Sequence, residues 1–211
     1  MEVVTGAQNP RRRRHLEAIQ WDRQRILDAM AESIAAVGYA NTTVADVARR
    51  AQTSLRTFYR FFADREAALV ALIAATNDDV IAHTAAAVDP HADWQTQIRQ
   101  AVTAWIECSE SRPALIVSWI RDVPALGAGC RDLQAQSMDA YIAMIQALSS
   151  TKALHDAGIR PVSRTRAIIL IGGINELTAT TVEHGERLSD LTEDIIDATI
   201  ALLNPVAESA D

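Results

Sequence analysis

Residues 41–69 read NTTVADVARRAQTSLRTFYRFFADREAAL and contain the clearest local structure signals in the chain. Thr43 is a good N-cap for a short first helix, and Asp46 adds the carboxylate of a capping-box-like start. After a polar turn of about three residues, Ser54 is placed to cap a second short helix that extends to Arg60. Two short helices joined in this way predict a helix-turn-helix motif.

The second helix of this pair has one core residue, Phe58, and a face of hydrogen-bonding side chains. Forked donors suit the base edges in a major groove, which assigns sequence reading to Arg56 and its neighbours. Tyr59 and Arg65 are suited to bind backbone phosphates on either side. The residues predicted to contact DNA are Thr43, Ser54, Leu55, Arg56, Thr57, Tyr59, Arg60 and Arg65.

The order and spacing of the residues around this motif resemble the DNA-binding domain of the tetracycline-repressor (TetR) family. The shared pattern is Gly38-Tyr39, Thr42-Thr43-Val44, Asp46-Val47-Ala48, Ala51, Ser54, Thr57-Phe58-Tyr59, Phe62, Arg65-Glu66 and Leu69. Two positions depart from the family pattern, since Gln52 replaces the usual turn glycine and Arg65 replaces the usual lysine. Because glutamine is disfavoured at positive φ, we expect a tighter or differently bent turn at Gln52.

The resemblance implies a C-terminal domain that dimerises through its last two helices and holds a small-molecule pocket between its middle ones. The apolar helices at 163–184 and 188–203 carry more apolar surface than the core of a monomer would hide. Gly172 and Gly173 would let a partner backbone come close. The residues predicted at the dimer interface are Ile171, Gly172, Ile174, Ile195 and Thr199.

A pocket in this domain would be lined by aromatic and methionine side chains with a few polar anchors. The predicted lining consists of Trp94, Trp105, Trp119, Met138, Tyr141 and Met144, with Asn175, Glu176, Thr178 or His184 as polar anchors. Aromatic residues at helical spacing are also typical of a plain core. The same residues are therefore compatible with an interior that binds nothing.

Helical spacing runs through the chain without a strand pattern, which predicts an all-α fold. We expect an N-terminal three-helix, helix-turn-helix DNA-binding domain followed by a larger helical ligand-binding and dimerisation domain. The predicted boundaries are a flexible basic arm at 1–20, the DNA-binding domain at 21–68 and the second domain at 69–211. The four arginines at 11–14 either follow DNA phosphates or the minor groove, or form a solvated tail.

The first helix is predicted to start at Trp21 or Asp22 and to end at Val37, with Gly38 as its C′ residue. Its apolar stripe includes Ile26 and Val37. Further helices are predicted at 64–87, at about 94–108, from a Ser111 cap to Pro124, from about 131, at 163–184 and at about 188–203.

Charge is divided unevenly along the chain, which carries a net charge of −7. Residues 1–70 contain 11 arginines against 8 acidic residues, whereas residues 71–211 contain 9 basic residues against 19 acidic ones. Basic character is thus confined to the segment with the predicted motif, and the acidic remainder would repel DNA. This pattern favours a targeted DNA-binding protein over a general polyanion binder.

No sequence motif indicates an enzyme, and we expect no catalytic residue, no cofactor and no metal. A metal cluster of His83, Asp89, His91 and Asp93 can be drawn around one loop, although a polar turn explains these residues equally well. Cys108 and Cys130 are expected to be reduced thiols. With no apolar run long enough for a membrane span and no signal peptide, the protein is expected in the cytoplasm.

The hypothesis is a dimeric, ligand-responsive transcriptional regulator, most simply a repressor that binds an inverted-repeat operator and is released by a small apolar or amphipathic effector. Activation would use the same domain. Two other classes remain open: a DNA-binding architectural protein without an effector, and an all-helical enzyme or carrier in which the basic segment is incidental.

Overall fold

The structure is a computed structural model that describes the backbone of residues 10–203 and the side chains of 18–203 except Ala128. Within this range the regular structure is helical throughout, which confirms the all-α prediction. The α-helices are α1 Pro10–Asn41, α2 Val44–Arg50, α3 Leu55–Phe61, α4 Arg65–Ala86, α5 Trp94–Ser111, α6 Pro113–Val117, α7 Ala128–Leu148, α8 Lys152–Asp156, α9 Arg164–Glu183 and α10 Thr192–Leu203.

The chain divides into two units, and the boundary between Leu72 and Ile73 falls within α4. The first unit contains α1, α2, α3 and the start of α4. Its core is formed by apolar side chains from all four helices, namely Ile26, Leu27, Met30, Ile34, Val47, Phe58, Phe62 and Leu69. Val37, predicted on the buried stripe of the first helix, is instead exposed.

The start of the first helix is predicted wrongly, because α1 begins at Pro10 rather than at Trp21 or Asp22. Proline is favoured in the first turn of a helix, where its missing N–H needs no partner, and the residues after it are mostly good helix formers. Residues 10–20 of the predicted flexible arm are therefore helical in backbone, and the remainder of that arm lies outside the described residues. Gly38, with φ 75°, interrupts the helix as expected of a C′ residue.

The turn of the helix-turn-helix is a Schellman motif built on Gln52. The N–H of Thr53 donates to the carbonyl of Ala48 at 2.9 Å, and the N–H of Gln52 donates to the carbonyl of Arg49 at 3.1 Å. Gln52 adopts φ 50°. The expectation that glutamine would bend this turn differently is therefore wrong, since the residue takes the left-handed conformation that glycine usually provides.

Arg25 of α1 helps to hold this strained turn in place. Its guanidinium donates to the carbonyl of Ala51 and, at 3.3 Å, to that of Gln52. Carbonyls at the end of α2 that lack helical partners are satisfied in this way. The left-handed conformation of Gln52 is thus imposed by bonds from outside the turn as well as within it.

We expect Gln52→Gly to raise the free energy of unfolding by about 0.5–1 kcal/mol. Relief of a left-handed residue is worth about 1–2 kcal/mol, and the greater freedom of glycine in the unfolded chain offsets about 0.4–1 kcal/mol of it. Urea denaturation measures the difference. Gln136→Gly, at an exposed position within α7, is the matched control and should lower the free energy by about 1 kcal/mol. Equal losses in both variants would contradict the assignment of strain to Gln52.

The second unit packs α5 to α10 around its own apolar core. α5 contacts α10, while α6 and α7 contact α9. The core includes Ile98 and Ile106 of α5, Ile142 of α7, Ala167 of α9, and Ile195 and Ile196 of α10. The apolar face of α10 is thus covered by its own unit.

The segment after α5 departs most from prediction. In place of one helix from a Ser111 cap to Pro124, α6 is followed by a π-helical turn, Ser118–Asp122, and a 3₁₀ turn, Val123–Ala125. Ser111 belongs to α5, and its hydroxyl donates to the carbonyl of Cys108. Two further differences are α8, which no pattern predicted, and a 3₁₀ turn, Leu188–Leu191, at the start of the last predicted helix.

Candidate functional site

Helix α3 presents an exposed face on the opposite side from its buried residue. Phe58 is 0% exposed, whereas Leu55, Arg56, Tyr59 and Arg60 are exposed. These four positions lie at i, i+1, i+4 and i+5, which is one side of a helix. A side chain on this face can reach into a groove while the opposite face stays in the core.

The N-terminus of α3 is fixed by the predicted cap. The hydroxyl of Ser54 accepts the N–H of Thr57 at 3.0 Å and lies 3.0 Å from the hydroxyl of Thr57. Likewise Thr43 caps α2 by accepting the N–H of Asp46 at 3.1 Å, so both predicted caps are confirmed. The hydroxyls of Ser54, Thr57 and Thr43 thus have structural partners, in addition to any contact with DNA.

The two arginines of α3 differ in their surroundings. Arg60 pairs with Asp22 at 3.3 Å and lies over the ring of Phe61 at 4.7 Å from its centroid. Among the side chains that the structure describes, none forms an ion pair or hydrogen bond with Arg56. Arg56 is therefore the better placed of the two to supply a forked donor to a ligand outside the chain.

Arg65 holds the end of α1 rather than pointing to a groove. Its guanidinium donates to the carbonyls of Tyr39 at 3.2 Å, Ala40 at 3.3 Å and Thr42 at 2.6 Å. It also stacks on the ring of Tyr39, 4.3 Å from the centroid. These bonds satisfy carbonyls at a helix end. This geometry favours a structural role for Arg65 over the predicted role as a phosphate clamp.

Sequence reasoning missed a polar cluster around Asp46. The carboxylate accepts from Ser33 at 2.6 Å, from Arg50 at 2.8 Å and from Arg49. These hydrogen bonds, that of Ser33 first, hold the pKa of Asp46 well below its usual range. Because Ser33 lies on α1, the cluster ties α1 to α2. The arginines at i+3 and i+4 were the available signal, while the pairing with Ser33 depends on tertiary packing.

Helix α9 carries an apolar stripe that its own unit leaves exposed. Ile168, Ile169 and Leu177 are exposed, and so are Gly172 and Gly173 between them. A Cβ atom built on either glycine meets no other atom within 4 Å, so the space beside them is open. Exposed apolar stripes of this kind mark interaction surfaces.

Most of the residues predicted at the dimer interface do not lie on this exposed stripe. Ile171, Ile195 and Thr199 are buried within their own unit, and Ile174 packs partly against that core. Of the predicted set, Gly172 alone is fully on the exposed stripe. The reason is rotational, since one step along α9 separates Ile171 from Gly172 and turns it by about 100°.

A cavity of about 260 Å³ lies inside the second unit. It is walled by α4, α5, α7, α9 and α10 together with the segment after α5, and its surface is mainly apolar. Six predicted residues line it, namely Trp105, Trp119, Met138, Tyr141, Met144 and Asn175. Its volume is close to the lower end of the range for ligand pockets.

The remaining predicted pocket residues lie elsewhere. Trp94, at the first position of α5, packs against the core without lining the cavity. Glu176 accepts from Arg121 at 2.7 and 2.9 Å, and the hydroxyl of Thr178 donates to the carbonyl of Ile174. His184 is exposed at the end of α9. These residues differ from the cavity-lining ones in their burial and hydrogen bonding rather than in residue type.

Among the described residues no three of His, Cys, Asp or Glu form a group able to hold a metal ion. Asp89 accepts the N–H of His91, and Asp93 caps α5. Cys108 and Cys130 are free cysteines, and burial raises the pKa of the Cys108 thiol. No described helix has the length and apolar character to cross a bilayer.

Comparison with known proteins identifies the N-terminal region. Residues 26–72 match the family model for bacterial regulatory proteins of the tetR family. This segment contains the whole helix-turn-helix described above. A search of curated proteins finds no match to the chain.

Solved structures with the same fold cover nearly the whole chain. The transcriptional regulator FadR from Bacillus subtilis, in complex with stearoyl-CoA, matches with a TM-score of 0.72 at 18% identity, covering 86% of this chain and 97% of its own. The fatty acid degradation regulator FadR from Bacillus halodurans has a TM-score of 0.72 at 15% identity, covering 96% and 99%. A putative TetR-family regulator from Syntrophomonas wolfei has a TM-score of 0.73 at 16% identity, covering 90% and 98%.

The capped helix pair and the exposed face of α3 have the geometry of a DNA-binding helix-turn-helix. Residues 26–72 match the model of the tetR family of bacterial regulatory proteins, which confirms, for this segment, the resemblance found in the sequence.

Proposed function

We propose that the chain is a ligand-responsive repressor that binds a palindromic operator as a homodimer and leaves it when a small effector binds. The observation that carries the proposal is the exposed face of α3, where Arg56 and Tyr59 stand on a helix capped by Ser54. The preceding turn is held by Arg25. Such a supported helix can enter a major groove without reorganisation. Its site of action would be the cytoplasm, and no catalytic step is assigned to it.

The α9 stripe supports the homodimer. A twofold axis beside Ile169 and the two glycines would bring two copies of the stripe together and remove both from water. Helix α10 instead exposes acidic and small side chains, including Glu193, Asp194 and Asp197. We therefore propose that α9 supplies the apolar contact and that α10 contributes little to it. Two recognition helices related by this axis would read half-sites about 34 Å apart.

The internal cavity supports release by an effector. Its apolar wall suits a small apolar or amphipathic molecule, and FadR from Bacillus subtilis was solved with stearoyl-CoA. A ligand that prefers one arrangement of the dimer by about 2.7 kcal/mol would weaken operator binding about a hundredfold. An architectural protein without an effector has no use for such a cavity, which favours the regulator over that alternative.

The proposal is tested by fluorescence anisotropy with duplex DNA taken from upstream of the protein's own coding sequence. We expect tight binding that weakens steeply as salt rises, because phosphate contacts release counterions. Compounds from an apolar library that raise the melting temperature should also release the DNA. Absence of salt-dependent binding to any duplex would contradict the proposal.

Arg56→Ala should relax the preference at one or two base pairs by about 1–3 kcal/mol while leaving binding to unrelated DNA almost unchanged. The reason is that a bidentate guanidinium contact reads a base edge. Competition between operator variants measures it. Arg60→Ala is the matched control on the same face, and its pairing with Asp22 predicts a smaller effect. An equal loss on every sequence would assign Arg56 to phosphates instead.

A further inference from the structure

The wall of the cavity carries no charge. Its lining, as far as the described residues define it, contains no Asp, Glu, Lys, Arg or His. Tyr141 is the ionisable side chain in that lining, and burial raises its pKa, so it stays neutral at physiological pH. A buried carboxylate or ammonium in this cavity would meet no opposite charge.

Most polar groups in the lining already have partners. Asn77 donates to Ser137 at 2.8 Å and accepts from Tyr141 at 3.2 Å. Gln97 accepts from Thr151 at 2.8 Å and donates to the carbonyl of Ala92 at 2.8 Å. These groups therefore shape the cavity without demanding a further bond.

Among the buried polar side chains of the described lining, Thr84 of α4 is the exception, whereas Gln134 and Asn175, also without a side-chain hydrogen bond, are only half-buried. It is 2% exposed and lines the cavity, and its hydroxyl oxygen is one of two buried side-chain oxygens among the described residues that have no hydrogen-bond partner. Two other buried threonines in helices, Thr178 and Thr199, each donate to the carbonyl four residues earlier at 2.7 Å. A buried hydroxyl left unpaired costs about 1–3 kcal/mol.

We propose that the effector is an uncharged, mainly apolar molecule with one hydrogen-bonding oxygen, such as an alcohol, ketone or ester, and that this oxygen bonds to Thr84. The inference rests on the proposed function only in treating the cavity as the effector site. The apolar body of the molecule lies against Trp105, Trp119 and Met138. Binding pairs the hydroxyl of Thr84, so the free energy that this unpaired group costs in the empty protein is recovered in the binding affinity.

The same cavity discriminates against the ionised counterpart of its ligand. Taking a carboxylate out of water without an opposite charge costs several kcal/mol even after the protein relaxes. An ester loses no charge solvation on entry. Selection between an acid and its ester therefore follows from the absence of a cation in the described lining, and does not require a steric fit.

The test uses the full chain without DNA and two matched probes, methyl octanoate and octanoate, at pH 8. Binding is followed by calorimetry and by fluorescence of the tryptophans in the cavity wall. Methyl octanoate should bind the native protein at least a hundredfold more tightly than octanoate. Octan-1-ol should bind in the range of the ester, since its hydroxyl can also pair with Thr84.

Three variants locate the contact. Thr84→Val keeps the shape but removes the hydroxyl, and it should weaken binding of methyl octanoate about tenfold. Its melting temperature should equal or exceed that of the native protein, because no unpaired polar group remains. Thr84→Ser should retain most of the affinity. Thr178→Val is the matched control, since this buried threonine lies outside the cavity lining and should leave the affinity unchanged.

The proposal is overturned if Thr84→Val binds methyl octanoate as tightly as the native protein, if octanoate binds as tightly as its ester, or if neither neutral probe binds. The outcome is separate from that of the proposed function, because no DNA is present. If the ester binds through Thr84 but releases no operator DNA, the proposal that a ligand in this cavity acts as an effector fails. The assignment of the ligand class and of its contact with Thr84 stands.

Discussion

Phe58→Ala should unfold the N-terminal unit at temperatures where the native protein is folded. Phe58 is 0% exposed and its ring contacts those of Tyr59 and Phe62, with centroids 5.5 and 5.7 Å away. Truncating a buried phenylalanine costs about 3–5 kcal/mol, which is a large share of the 5–15 kcal/mol typical of a domain. The unit is small, so its stability leaves little margin for such a loss.

Circular dichroism against temperature and binding to operator DNA together measure this effect. We expect a separate low-temperature transition and loss of DNA binding, while the second unit keeps its own transition. Leu55→Ala is the stability control, because this neighbour is 49% exposed and its truncation should change stability by about 0.5 kcal/mol or less. Equal melting curves for the two variants would contradict the placement of Phe58 as the centre of the core.

Ile169→Glu should abolish dimerisation and, with it, tight operator binding. Ile169 is 55% exposed and lies in the centre of the proposed α9 contact. A twofold axis places two copies of the new carboxylate in one apolar interface, where each ion costs several kcal/mol to desolvate. Because about 1.4 kcal/mol corresponds to tenfold, dimerisation should weaken at least a hundredfold.

Sedimentation velocity gives the oligomeric state, and anisotropy gives the affinity for the full operator. A matched control is Ala143→Glu, which places the same charge at an exposed position of α7 away from the stripe. This control should remain dimeric. Dimers of normal stability in the Ile169→Glu variant would show that the α9 stripe is not the interface.

The helix-turn-helix was predictable because its signals are local. Capping by Thr43 and Ser54 needs only residues within one turn, and the spacing that buries Phe58 and exposes Arg56 follows from helix geometry. The conformation of the turn, in contrast, could not be predicted from local signals alone. Arg25, distant in sequence, donates a hydrogen bond to the carbonyl of Gln52 and helps to stabilise its left-handed conformation. No local sequence pattern predicts that hydrogen bond.

The second unit was less predictable because its helices are apolar on most sides. On α9, sequence alone does not tell which of Ile168, Ile169 and Ile171 faces the core, and the structure buries Ile171. On α10, Ile195 and Thr199 face their own unit rather than a partner. The lining of the cavity was recovered more fully, since large aromatic side chains in the middle helices must pack inward wherever the helices meet.

The sequence patterns did not indicate Thr84, the residue proposed to bond to the ligand. Thr84 is a common residue at an ordinary helical position, and only its burial without a partner marks it. Arg65 was predicted from its charge to bind phosphate, and its bonds to the carbonyls of Tyr39, Ala40 and Thr42 add a structural role that the sequence did not indicate. Neither feature can be read from the sequence, because each depends on how the helices pack together.

Selection of bound duplexes from a random pool by the native protein tests whether it reads DNA as a dimer through α3. We expect enrichment of an inverted repeat whose half-sites are centred one helical turn, about 34 Å, apart, and loss of the preferred base at one position with Arg56→Ala. Enrichment of a single half-site, or of no sequence at all, would contradict a dimer that reads DNA through α3.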